Sequence, residues 1–205
     1  MNWIPYWVLG MALVASPAFA AQGDDPSWPC IQRKVPQLSL AQIWNGPELP
    51  SDAADWAKDS AVSKLVEELS ARRLPLPQAQ AEIDTYRNSL PPEQRPLHAA
   101  MLVQGLFEKM NDERAHVIAG IARYAQRQRE MAANLRRESS AVGALRASPD
   151  ADPHEIALRS EQLAFQIRIF QERVQSLTFV CEVPTLIEQR LYALVKAIQQ
   201  QGTAR

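Results

Sequence analysis

The longest regular pattern in the chain runs through residues 97–147, a stretch without proline. Val103, Phe107, Met110, Arg114, Val117, Ile121, Tyr124, Gln128, Met131, Leu135, Glu138, Val142 and Leu145 follow one another at alternating steps of four and three. Ten of these thirteen are apolar, so they trace one heptad seam along a helix predicted over 96–147. At 1.5 Å per residue such a helix is about 75 Å long, and alone in water it has nothing to stabilise it. It must bury its seam against a neighbour.

The neighbour follows directly. Ser148-Pro149-Asp150-Ala151-Asp152-Pro153 reads as a turn in which Asp152 can cap the next helix and Pro153 suits its first position. Ile156, Ser160, Leu163, Ile167, Phe170, Val174, Leu177 and Cys181 then repeat the same spacing along a helix predicted over 153–182. Two heptad helices joined by so short a turn fold back as an antiparallel hairpin. With the turn centred near residue 150, facing residues add to about 301, which sets Cys181 opposite Gly120. A glycine costs about 1 kcal/mol in mid-helix, so Gly120 is expected to make room there for another segment of the chain. Pro184 is expected to interrupt the second arm, with a last helix over 185–201 carried by Ile187, Leu191, Leu194 and Ile198.

Ahead of the hairpin the elements are shorter. Ser51 or Asp52 can cap a helix over 52–73 whose Val62, Leu65, Val66 and Leu69 share one face. Pro75 and Pro77 break the chain before a helix over 78–90 with Ala79, Ile83, Tyr86 and Leu90 at helical spacing, ended by Pro91-Pro92. Residues 21–51 hold Pro26, Pro29, Pro36, Pro47 and Pro50, too many for a regular element, yet Trp28, Ile31, Leu38, Ile43 and Trp44 need burial. That combination predicts an irregular Pro/Trp-rich strap across the helices. A strip that docks a partner is the alternative reading of the same residues. The fold class expected is therefore all-α: one helical domain over 52–205, a bundle with a long antiparallel coiled-coil hairpin projecting from it.

Composition adds a destination. Residues 1–20 hold an apolar run, Pro17 and the small-x-small triplet Ala18-Phe19-Ala20, the pattern of a signal peptide cleaved after Ala20. No Lys or Arg precedes the run, and an uncleaved membrane anchor is the alternative. The expected location is periplasmic or secreted, with no stable membrane insertion after cleavage. Cys30 and Cys181 are the only cysteines, and in an oxidising compartment they pair most simply as one structural disulfide.

With 22 basic and 23 acidic groups the chain offers no electrostatic reason to bind nucleic acid. The charges are nevertheless sorted. Arg123, Arg127, Arg129, Arg136, Arg137 and Arg146 outweigh Glu130 and Glu138 by four on one hairpin arm. Asp150, Asp152, Glu155, Glu161 and Glu172 outweigh Arg159 and Arg168 by three on the other, a complement expected to orient the arms.

Catalytic and cofactor motifs are missing. Glu113-Arg-Ala-His116 is a single Glu-x-x-His where a di-metal bundle needs two, and His98, His116 and His154 are scattered. There is no Cys-x-x-Cys-His, Gly-x-Ser-x-Gly, phosphate-cradling loop or dinucleotide fingerprint. No catalytic, metal or cofactor residue is assigned, no cofactor is expected, and an enzyme is the less favoured reading. Leu90-Pro-Pro-Glu-Gln-Arg95 before a long amphipathic helix resembles helix starts in small periplasmic helical chaperones and metal-stress sensors, but six residues of a common type carry nothing further. The expected function is that of an exported interaction or adaptor protein binding another protein through the hairpin or the strap. A periplasmic chaperone or stress sensor is the first alternative, and a ligand- or metal-binding bundle the second. Homo-oligomerisation is a further expectation, since Arg114, Gln128 and Glu138 interrupt the seam in the way that sets register in assemblies.

Overall fold

Val103, Met110, Arg114, Ile121, Gln128, Leu135 and Val142, all on the predicted seam, are buried along a single helix, Arg95–Ala147. The computed structural model describes residue 25 and residues 27–203, and every regular element among them is helical. In chain order these are α1 (Leu40–Ile43), a 3-10 helix (Ser51–Lys58), α2 (Ser60–Ser70), α3 (Leu76–Ser89), α4 (Arg95–Ala147) and α5 (Pro153–Thr203). The leader expected over 1–20 lies outside the described residues.

α4 and α5 form the antiparallel hairpin. Arg114 meets Glu188, Tyr124 donates to the Arg173 carbonyl, Arg173 reaches Met131, and Arg146 donates to Ser160. The residue numbers of these pairs add to 297–306, around the expected 301. The charge complement does not act as expected. Among the described residues no ion pair joins the two sorted blocks, whose polar link is the Arg146–Ser160 hydrogen bond, whereas Arg129 donates to the Ser27 carbonyl and to Gln126, and Arg137 to Asn134.

α5 does not break at Pro184. It is one helix from Pro153 to Thr203 with that proline inside it. Proline removes the N–H that would bond the Val180 carbonyl, a local cost of about 3 kcal/mol. The seam explains why the helix survives: Leu177, Cys181, Pro184, Glu188, Leu191, Val195 and Ile198 keep the 4-3 spacing straight through. Cys181, Pro184, Leu191, Val195 and Ile198 are buried, so packing on both sides of the proline holds the helix in line.

The helix expected over 52–73 is also redrawn. Residues 51–58 wind as a 3-10 helix, and the side chain of Asp59, not Ser51 or Asp52, caps α2 by accepting from the amides of Ala61 and Val62 at 2.9 and 3.0 Å. Trp56 anchors the 3-10 segment by donating from Nε1 to Glu108 at 2.8 Å. α2 ends at Ser70, where Arg190 of α5 donates to the Leu69 carbonyl from Nε and Nη2 (3.0 and 2.8 Å) and to the Leu74 carbonyl from Nη1 (2.9 Å). These carbonyls have no helical partner of their own, and the guanidinium fills that need.

Val62, Val66, Leu69, Val103, Leu106, Met110, Ile187, Leu191, Leu194 and Val195 are fully buried and form the centre of the core. All lie at the end of the hairpin away from its turn, where α2 packs on α4 and α3 on α5. Gly105 sits in this core. A methyl group on it would lie 2.8 Å from the Trp56 ring and from Val66, so only glycine lets both side chains approach α4 this closely. Gly120 does something else. Around it the nearest atom to such a methyl is the tip of Arg123 at 3.9 Å, so the room expected there for the strap is not used.

The strap runs along α4 in the opposite direction. Arg129 holds the Ser27 carbonyl, Arg114 the Val35 carbonyl, and Asn111 both the amide and the carbonyl of Leu38. Leu38 and Ile43 enter the core, the latter from the single turn of α1, which the expectation of a wholly irregular segment missed.

Candidate interaction surface

The chemistry singled out in the sequence does not converge. Among the described residues no group of three or more His, Cys, Asp or Glu side chains gathers as a metal site. His116 and His154 are exposed on different helices. Glu113 pairs with Arg72 at 3.4 Å. His98 shares a 2.6 Å hydrogen bond with Tyr86, whose phenol is pushed up to about 12 by burial and by the nearby Asp59 carboxylate. The hydrogen bond and the tilted contact of the two rings tie α3 to α4.

Cys30 and Cys181 are joined by a disulfide across 151 residues, which ties the start of the strap to the middle of α5. Five residues further along the strap, at Val35, the segment meets Arg114, which is buried on α4. Its side chain is 6 % exposed, its Nη1 donates to the Val35 carbonyl and its Nη2 lies 3.5 Å from Glu188. Burial pulls this guanidinium down and Glu188 pushes it back up. Its Nε has no partner, nor has the Oε1 of buried Gln128. A buried charge with one fixed set of partners admits a single placement of the strap. The polar breaks in the seam therefore split: Arg114 and Gln128 are consumed inside the chain, while Glu138 is exposed.

What remains exposed is apolar and one-sided. Leu158, Phe165, Ile167, Val174, Phe179, Val180, Leu186 and Tyr192 are large apolar side chains open to solvent, and all belong to α5. Ile31 in the strap is the one other such residue among those described; α4 contributes none. Phe165 is 53 %, Phe179 73 % and Leu186 51 % exposed, where packing on α4 would have hidden them.

At about 100° per residue Leu158, Phe165, Phe179, Val180 and Leu186 share one side of α5, whereas Ile167, Val174 and Tyr192 lie on the opposite side, that of the inner seam. Phe165, Ile169, Glu172, Ser176, Phe179 and Val183 step 4-3-4-3-4 along α5, a second heptad stripe. They fall within an arc of about 80° on the side away from Leu163, Phe170, Leu177 and Cys181, and the stripe runs at its end into the core, against which Val183 packs. The outer stripe carries the same periodic signal, displaced by two residues, and could have been found by looking for a second one.

Compared with protein-family models, with curated proteins and with solved structures, the chain matches none.

Proposed function

We propose that this is an exported interaction protein, a helical adaptor that docks on a protein partner through the outer face of α5. The observation that carries the reading is the one-sidedness of the exposed apolar side chains: the hairpin's second arm bears them and its first arm does not. A helix exposing an apolar stripe leaves a cost that a partner helix removes, in the manner of helix-in-groove or coiled-coil recognition.

Export is supported by the leader pattern of residues 1–20 and by the Cys30–Cys181 disulfide, a bond that persists in oxidising compartments. Among the described residues no helix is long and apolar enough to cross a membrane. Glu172 and Ser176 in the middle of the stripe favour a specific partner over the unselective apolar holding surface of a chaperone.

A photo-reactive phenylalanine analogue at position 165 or 179 tests this in the cells that make the protein. Irradiation is expected to give protein adducts at both positions and none with the same analogue at Glu130 on α4. Adducts from neither α5 position would remove the reading.

A further inference from the structure

Ile31 is the most exposed large apolar side chain among the described residues, at 103 %, as open as in an extended peptide. It sits at a bend of residues 30–32 in the strap. One exposed isoleucine is ordinary on a protein surface. What sets this one apart is how firmly the loop beneath it is held.

The ties converge from both sides of the bend. Asp25 accepts from the amide and the hydroxyl of Ser27, and from Lys34 Nζ at 2.7 Å. Those partners hold its carboxyl down at about 2, so the Asp25–Lys34 pair stays ionised above that pH. Trp28 Nε1 donates to the Gln32 carbonyl at 2.7 Å, closing the chain below Ile31, and the Lys34 ammonium lies 5.8 Å from the Trp28 ring. Two more ties fasten the loop to the hairpin. Arg129 donates to the Ser27 carbonyl at 2.8 Å, and Cys30 is bonded to Cys181.

This restraint feeds nothing into the core. From residue 27 to 34 no side chain is buried: Trp28, Cys30 and Lys34 are half-buried and the others exposed. Leu38 and Ile43, further along, are what the strap contributes to the core. Among the described residues nothing pairs with the amide or the carbonyl of Ile31, so its backbone is open as well. A loop ordered in advance around one free aliphatic side chain spares a binding step the cost of ordering it.

We propose that residues 27–33 form a docking loop that seats Ile31 in an apolar pocket of a partner protein. A pocket suits a single anchoring side chain, whereas binding to a bilayer surface scales with apolar area, of which one isoleucine has little. Cys181 lies on the inner seam, so the loop stands on the side of α5 away from Phe165 and Phe179. It is a second docking point, as an adaptor requires, and it does not depend on the first.

An aliphatic diazirine amino acid at position 31, in the cells that make the protein, is expected to give a protein adduct on irradiation. The same residue at Gln37, exposed further along the strap, should give none. Purified full chain added to permeabilised cells should compete for the adduct. Ile31→Leu should compete within about 3-fold of the parent chain, and Ile31→Asp about 100-fold less well. The Tm of Ile31→Asp should be unchanged, because so exposed a side chain has no packing to lose. Cys30→Ser with Cys181→Ser should compete about 10-fold less well, since the loosened loop must be ordered on binding. No adduct at 31 overturns the proposal, as do adducts on lipid alone, competition by Ile31→Asp equal to the parent's, or competition that loss of the bridge leaves unchanged. Adducts at 165 and 179 without one at 31 would remove the loop's role and leave the α5 face standing; an adduct at 31 alone that passes the competition tests would do the reverse.

Discussion

Removing the Cys30–Cys181 bridge, by reduction or by Cys30→Ser, is expected to lower the unfolding free energy by about 4–5 kcal/mol. The cross-link closes a loop of 151 residues, so in the unfolded chain it restrains most of the described sequence. For a chain of this size the loss corresponds to a fall in Tm of about 10–15 °C, read by thermal denaturation with and without reductant. Helix content at 25 °C should hardly change, because the bridge joins the strap to α5 and neither α4 nor the bundle core depends on it for its hydrogen bonds. The segment that loosens is the strap before residue 35, where Trp28 donates to the Gln32 carbonyl and Lys34 lies over its ring. Its fluorescence should shift towards that of an exposed indole. Beyond residue 35 the Arg114 and Asn111 contacts hold the strap on their own. A change below about 1 kcal/mol would mean that the unfolded chain without the bridge is already restrained by residual structure.

Gly105→Leu should cost about 3 kcal/mol or more, and Gly120→Ala should gain about 1 kcal/mol. Both glycines sit inside α4, so backbone propensity favours replacing either. What separates them is the space beside the Cα. At Gly105 even a methyl falls 2.8 Å from ring atoms of Trp56 and from Val66, neither of which can move. Trp56 is held at its nitrogen by Glu108, and Val66 is fully buried. A larger side chain must therefore lift the 3-10 helix from α4. At Gly120 the nearest atom is the end of a flexible arginine, 3.9 Å away. Chemical denaturation of the two variants checks the sign of each. Two changes of the same sign would show that propensity or packing alone governs α4.

The hairpin was legible in the sequence because two independent signals agree there. The 4-3 steps of Val103 to Leu145 and of Ile156 to Cys181 demand mutual burial, and the turn at 148–153 is too short for any arrangement other than antiparallel. The pairing of Cys30 with Cys181 followed from arithmetic on two cysteines. Where the expectations failed, a local rule was overruled by packing. Pro184 breaks an isolated helix, but here Cys181 before it and Ile187 and Leu191 after it are buried in one continuous seam. Ser51, Asp52 and Asp59 are all acceptable caps, and Trp56 decides among them by a contact 52 residues away in sequence. The position of Gly120 opposite Cys181 suggests a steric role, while the residue with that role, Gly105, faces a segment whose placement sequence spacing does not reveal.

The interaction face was hidden for a different reason. α5 is apolar on two sides, and periodicity alone does not say which side is covered. Leu163 and Phe170 on the inner side and Phe165 and Phe179 on the outer side are chemically equivalent. Only the position of α4 separates them, by hiding the first pair in part and leaving the second more than half exposed.

Thiol labelling at Ser176→Cys tests whether that outer face is covered in the working protein. Ser176 lies at the centre of the stripe and is exposed in the single chain, as is Glu130 on α4, where Glu130→Cys serves as the control. The account predicts that a hydrophilic maleimide reacts with both at similar rates in dilute purified protein, and many-fold more slowly at 176 than at 130 in intact cells. Equal rates at the two positions in cells would mean that nothing covers α5, and would contradict it.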